Sequence, residues 1–466
     1  MQIPKFRLTV IFLLAMQLSA FSQNQSNFQK DSTMLRQIFN ETLENGQAYE
    51  DLRSLTKDIG ARLAGSASAD MAVEWGYDQL KSYGFDKVYK QEIEVPHWER
   101  GTTEKAWYID TYGDIHQLNI LALGGSVATK GPLQAELIHF KNRAELQKAN
   151  RSDVKGKVVF ISQPMDQKMI ETFDAYGACY PIRGLGAIDA AKKGAKAVII
   201  RSLSLSEHPH PHTGTMQYED GVTKIPAAAI STIDATALEE YMMTTRGITQ
   251  LMIEINSKTF PPKKSHNVIA EITGSENPHH IITVGGHLDS WDVGEGAHDD
   301  GAGIVHSMEA ARTLMALNYQ PKNTIRVVFF MNEENGNMGG KTYAKLMGES
   351  KEKHIAAIES DRGGFTPRGF SVDGSDEHYE MLVSFEKLFK PYFLHQLEKG
   401  YGGVDINPLK SEFKDIALFG FIPDSQRYFE IHHNANDVFE NVNKRELHLG
   451  AASISSLIYL LDQHLN

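Results

Sequence analysis

The sequence predicts an α/β fold: a mixed, mainly parallel sheet covered by helices on both faces, with a second, β-rich unit inserted into it. Three observations carry the prediction. Residues 281–284, 324–331 and 355–358 are apolar and rich in β-branched side chains, as buried strands are. Helical periodicity separates these runs, with Ile304, Met308, Ala311 and Met315 on one face, and strands joined through helices lie parallel. Over 122–257 the rhythm changes to short strands and frequent turns, so this stretch reads as a unit interrupting a larger one.

Residues 1–22 read as a secretory signal peptide. Lys5 and Arg7 precede a mostly apolar run, and Ala20 and Ser22 stand at the −3 and −1 positions of a cleavage site. The run is short for a membrane span. A secreted or periplasmic protein with no membrane attachment after cleavage is therefore expected. The main domain begins over 23–121, with helices at 31–65 and 69–84 and an alternating strand at 88–95 closed by Pro96. The inserted unit, 122–257, has strands at 154–161, 197–200 and 225–230 and a helix at 183–193. Residues 257–266, with Pro261 and Pro262, read as a linker. The main domain resumes over 258–466, with helices at 340–347, 376–389 and 445–461. The last aligns Leu447, Ala451, Ile454, Ile458 and Leu461 on one stripe.

A formal charge of −12 without any basic stripe argues against a nucleic-acid partner. The single cysteine, Cys179, excludes an internal disulfide. No base accompanies it locally, so it reads as a small buried residue.

The chemistry lies at strand ends. The first apolar run leads into His287 and Asp289, the second into Glu333 and Glu334, and the third into Glu359 and Asp361. A Gly-rich loop adds Asp299 and Asp300, and a late loop adds His432, His433 and Asp437. Imidazole and carboxylate donors suit zinc. In extended chain Glu333 and Glu334 point to opposite sides, so that one holds metal and the other faces substrate. Taken singly, a Glu-Glu pair is usually a solvated loop and Asp-Asp-Gly a turn. The metal reading comes from their joint placement at the strand ends of one sheet.

The motifs Gly286-His-Leu-Asp-Ser290, Gly296-Ala-His-Asp-Asp-Gly-Ala-Gly303, Asn332-Glu-Glu-Asn-Gly336 and Glu359-Ser-Asp361 together resemble the co-catalytic zinc exopeptidases of the aminopeptidase and glutamate carboxypeptidase family. The resemblance covers nearly the whole chain after residue 22. It implies the zinc exopeptidase fold with a protease-associated domain as the insert. It also implies two zinc ions, one held by His287 and Asp361, the other by Glu334 and His433, with Asp299 bridging. His433 is preferred over His432 because the family ligand lies four residues before an Asp, here Asp437. The same resemblance makes Glu333 the general base and gives Asp289 a supporting part in catalysis, accepting a hydrogen bond from His287 and fixing its tautomer. A cis peptide is expected at Asp299–Asp300.

The implied reaction is hydrolysis of dipeptides or short peptides by metal-activated water, in a dipeptidase, aminopeptidase or carboxypeptidase, with a homodimer as the family's assembly. Two other readings stand beside it: a receptor-like binding protein that kept only the fold, and a single-zinc enzyme of the glutaminyl cyclase type. Asn332-Glu-Glu-Asn-Gly336 departs from the family's usual Ala-Glu-Glu-Gln-Gly, which bears on substrate preference rather than on metal.

Overall fold

The structure, a computed structural model, describes residues 27–245 and 249–465. The expected signal peptide lies outside the described residues. The main sheet has eight strands: β1 (Lys87–Glu99), β2 (Lys258–Ile272), β3 (Asn277–His287), β4 (Asn323–Phe330), β5 (Lys353–Glu359), β6 (Pro367–Asp373), β7 (Gln396–Lys399) and β8 (Ala417–Pro423). They lie in the order β1-β2-β4-β3-β5-β8-β6-β7. The central strands β4, β3, β5 and β8 run parallel, while β1, β2 and β6 pair antiparallel to their inner neighbours.

Both faces are covered, as the alternating pattern requires. Val268, Val327, Phe329, Ala356 and Ile358 face a core shared with the helix over 27–45 and the helices Ala67–Ser82, Ala302–Ala316 and Lys444–His464. Ile269, Val328, Phe330 and Ala357, one residue out of phase, face Tyr343 and Ala344 of the helix Met338–Gly348 and Leu409.

Between β1 and β2 the chain builds a second eight-stranded sheet from Glu104 to Ile255. Three short strands, Glu104–Ile109, Ile115–Leu118 and Ile120–Ala122, already belong to it. The chain therefore changes sheets just after Glu99, not near residue 121. Nor is this unit β-rich alone. Val159, Ile161, Val198 and Ile200 pack with the helices Thr172–Cys179 and Pro181–Lys192, and the opposite sheet face packs on Leu238 of the helix Thr232–Thr244. Tyr428, Phe429 and Ile431, from the end of the chain, share the first of these cores. Cys179 is buried there, and burial pushes its thiol up to about 12, as expected of a packing residue.

Two expectations fail at prolines. Residues 258–266 are not a linker but the first half of β2, and β1 does not stop at Pro96. The register shifts between Val95 and His97, opposite Lys263 and Phe260, so Pro96, Pro261 and Pro262 sit together at one irregularity. β2 meets β4 only from Val268 onward, so its prolines interrupt no second ladder. Strands β6, β7 and β8 had no counterpart in the sequence reading.

Leu457 of the helix Lys444–His464 is fully buried in the core on the first face. Leu457→Ala should cost about 2–5 kcal/mol, read as a lower urea midpoint with an unchanged m-value.

Candidate metal centre

β4, β3 and β5 are parallel neighbours, so their carboxyl ends open on one edge of the sheet. His287 and Glu359 are the last residues of β3 and β5, and Asp361 follows two residues later. Beyond β4 the chain turns at Asn332 (φ 76°), so Glu333 and Glu334 stand in a tight turn rather than in the extended chain expected. The loop after β3 folds back to deliver Asp299 at the entry to the helix Ala302–Ala316, and its peptide to Asp300 is cis, as expected. His433 follows the short helix Tyr428–Ile431 in a left-handed conformation (φ 61°), which favours glycine and needs outside support.

All five expected donors meet. His287 Nε2 lies 3.2 Å from Asp299 Oδ1 and 3.4 Å from Asp361 Oδ1. His433 Nε2 lies 3.1 Å from both Asp299 Oδ2 and Glu334 Oε2. Asp299 thus stands between two groups of donors. His432, stacked on His433 with ring centroids 3.5 Å apart, reaches only to 3.6 Å from Asp299 Oδ2. His287 Nε2, Asp299 Oδ2 and Glu334 Oε1 are buried and have no hydrogen-bond partner. Three metal-ligating atoms left bare in one place are costly unless a cation takes them. The donor set, two imidazoles and three carboxylates, therefore fits zinc.

The aim of each donor is set by its neighbours. His287 Nδ1 donates to the Asp289 carbonyl at 2.9 Å, which leaves the Nε2 lone pair facing the acids. The hydrogen bond expected to Asp289 is present, but it ends on the main chain. The Asp289 carboxylate is 3.8 Å away and accepts instead from the amides of Asn332 (2.6 Å) and Glu333 (3.0 Å), tying the β4 turn to the β3 loop. Asp300 accepts from the amides of His287 and Gly303, both at 3.0 Å. This approach leaves no space for side chains: a Cβ on Gly303 would lie 1.9 Å from the Ser360 carbonyl, and one on Gly286 would lie 2.3 Å from Asp300 Oδ2. Glu359, expected to join the acid cluster, accepts instead from the amides of Val404, Asp405 and Ile406 at 2.8–3.0 Å.

Two residues support the site: Arg62, absent from the sequence reading, and Asp437, named there only beside the late-loop histidines. Arg62 is fully buried and donates to the carbonyls of Leu288 (2.6 Å), Glu295 (2.7 Å) and Gly296 (2.9 Å), so it clamps the loop that carries Asp299. The Asp437 carboxylate accepts from the amides of His298 (2.7 Å) and Asp299 (3.1 Å). Arg62 lies far away in sequence and in no motif, so only the fold reveals it.

Crowding shows in the protonation equilibria. Burial and the Asp299 charge push Glu334 up to about 7, and burial and Asp299 do the same to Asp437. Burial, with the Asp361 and Glu334 charges, holds Glu333 well above the carboxylate range. Burial opposes charge on His433, but Glu334 and Asp299 outweigh it and raise it to about 9.

The donors open into a cleft of about 430 Å³ lined by Glu333, Tyr401, Tyr428 and Phe429 on one side and by Phe173, Tyr176, Tyr180 and Arg183 of the second sheet's helices on the other. Arg183 was passed over in the sequence as part of an ordinary helix. It is buried, lies between the rings of Tyr176 and Tyr180, and among the described residues has no carboxylate within 4.0 Å.

Comparison with known proteins agrees with this architecture. Residues 267–458 match the model of peptidase family M28. The chain is 34% identical to carboxypeptidase Q of Bos taurus over 419 residues, covering 89% of this chain and 85% of that protein. The crystal structure of a peptidase M28 precursor from Shewanella amazonensis superposes with a TM-score of 0.88 at 34% identity, covering 93% of this chain and 97% of that one. A zinc aminopeptidase from Bacillus subtilis shares the fold, with a TM-score of 0.63 at 22% identity over 90% of this chain and 95% of its own. The chain belongs to peptidase family M28, among the relatives of carboxypeptidase Q, and is a metallopeptidase.

Proposed function

We propose that the protein is a secreted or periplasmic dizinc exopeptidase that hydrolyses dipeptides or short peptides. One observation carries the reading: five donors from four separate segments converge with three of their buried ligating atoms bare. In this reading His287 and Asp361 would hold one ion and Glu334 and His433 the other, with Asp299 contributing to both. The unit over 104–255 is a protease-associated insertion domain. When bound, the two ions supply the Lewis acidity that makes water reactive near neutral pH. Glu333 faces the same cleft without holding metal, and it takes the proton from the attacking water and hands it to the leaving amine. Asp289 supports that step: its carboxylate accepts from the Glu333 amide, and its main-chain carbonyl accepts from the His287 ring. The reading as a receptor-like binding protein is disfavoured because the full donor set and the base are retained, and five donors exceed what a single-zinc site uses.

Arg183 bears on the kind of peptide. Its guanidinium donates to the Thr213 carbonyl (3.2 Å) and to the Tyr176 hydroxyl, but its Nε has no partner and no acid neutralises it, which suits it to an anion. At the wall of this cleft the anion is the free carboxylate of a short substrate. A homodimer, the family's assembly, remains part of the proposal and is read by sedimentation.

Three outcomes are expected. Glu333→Gln should keep both metals and lose about 10²–10⁴-fold in kcat; undiminished turnover would remove Glu333 as the base. Arg183→Met should lower kcat/KM by about 10–100-fold on free dipeptides, and leave C-terminally amidated ones nearly unaffected. An equal loss on both would show that Arg183 does not read the carboxylate. The third concerns pH. Glu334, Asp437 and Glu359 (raised to about 8, by burial and Asp361) and His433 all hold protons more firmly folded than unfolded. The folded chain therefore binds the extra protons, and stability of chelated protein falls as pH rises from about 5 to 9. Zinc, replacing those protons, should restore the urea midpoint most at the alkaline end.

A further inference from the structure

By composition the run His208-Pro-His-Pro-His212 is expected to be a solvated, Pro-stiffened loop. The structure overturns this for its last member: His212 is 2% exposed and lies directly behind the turn that carries His433.

The hydrogen bonds fix its state. Asn434, also buried, accepts from the Asn436 amide through Oδ1 (2.6 Å) and donates through Nδ2 to the Glu430 carbonyl (2.8 Å). The remaining Nδ2 proton points at His212 Nε2, 2.8 Å away. Swapping the amide would set its nitrogen against the Asn436 N–H and its oxygen against the Glu430 carbonyl, so the orientation is determined. His212 Nε2 is therefore an acceptor. His208 Nε2, 3.0 Å from it, is the second donor, and His208 Nδ1 accepts from the His210 amide at 3.2 Å. Two donors converge on one nitrogen, so the spot does not receive a cation of its own.

The base of this contact is rigid. The His212 amide donates to Ser202 Oγ (2.8 Å), which donates to the Ile230 carbonyl (2.7 Å) at the end of a strand of the second sheet. The next residue grips the same turn from the other side. The Thr213 amide donates to the His433 carbonyl (3.0 Å), and the Thr213 carbonyl lies 3.3 Å from His433 Nδ1. His433 thus has its backbone, its ring and its following residue all held by 212–213, while its own backbone occupies a left-handed conformation.

We propose that His212 is a positioning residue for the ion held by Glu334 and His433: by accepting the Asn434 amide, it fixes the turn that aims His433 Nε2 at Asp299 and Glu334. The inserted unit then forms part of one metal site and not the other, because the His287 ring is oriented by Asp289 and Asp361 follows a main-sheet strand. This inference rests on the dizinc reading.

The test is a zinc titration of chelated protein at fixed pH, with bound metal counted by mass spectrometry after equilibrium dialysis. Wild type should take two ions. His212→Leu leaves an Asn434 N–H buried and unpaired; it should keep the first ion at wild-type affinity and bind the second on the order of tenfold more weakly. His212→Gln presents a carbonyl oxygen to the same amide and should titrate like wild type. Should the Leu variant not fold, Asn434→Ser, too short to reach His212, decides in the same titration and should show the same selective loss. The proposal is overturned if either disrupting variant binds both ions as wild type does, if both ions weaken equally, or if Gln fails to rescue. A wild-type chain that takes only one ion sinks the dizinc reading itself and this inference with it.

Discussion

The organising constraint is electrostatic. A sheet edge that gathers Asp299, Glu333, Glu334 and Asp361 within one buried pocket cannot leave all of them ionised and unpaired, because like charges removed from water repel strongly. The fold answers in two ways. It gives main-chain amides to four of the surrounding acids: Asp289, Asp300, Glu359 and Asp437 each accept two or three. Asp299 and Glu334, at the cleft, keep bare oxygens, and it is these that the proposed ions would neutralise. The outer group of carboxylates thereby converts peptide dipoles into the stiffness of three loops, and the inner group keeps its charge for chemistry.

The sequence disclosed the centre more readily than the frame. Buried parallel strands advertise themselves by uninterrupted β-branched runs, and β3, β4 and β5 lay within a few residues of expectation. The donors followed because they sit immediately after those runs. What stayed hidden depends on contacts distant in the chain. β8 contributes the apolar stretch Leu418-Phe-Gly-Phe-Ile422, which periodicity alone does not separate from a buried helix. Prolines in β1 and β2 read as breakers because local signals do not tell which strand flank has a neighbour. Arg62 and Arg183 carry no local signature at all. Each matters for what another part of the chain places around it.

The second sheet does more than roof the cleft. Its helices supply one aromatic wall, and Arg100, just past β1, pairs bidentately with Asp292 (2.9 and 2.5 Å) in the loop that follows β3. Tyr428, Phe429 and Ile431 sit in its core rather than in that of the main sheet. The last loop of the chain is therefore folded against the insert, and hydrophobic burial there orders the backbone from which His432 and His433 project. The cleft wall and the turn that carries His432 and His433 share one foundation.

The kink shared by Pro96, Pro261 and Pro262 has a meaning beyond the register. β1 is one of the sheet's two edge strands and is 13 residues long, the kind of open margin along which a foreign strand zips on. Pro96 removes a donor from that margin, the bulge bends it, and Lys90, Glu92 and Glu94 line it with charge. The margin is thus spoiled as a template, and the molecule guards itself against stacking into fibrous aggregates where its fold is otherwise most exposed to that hazard.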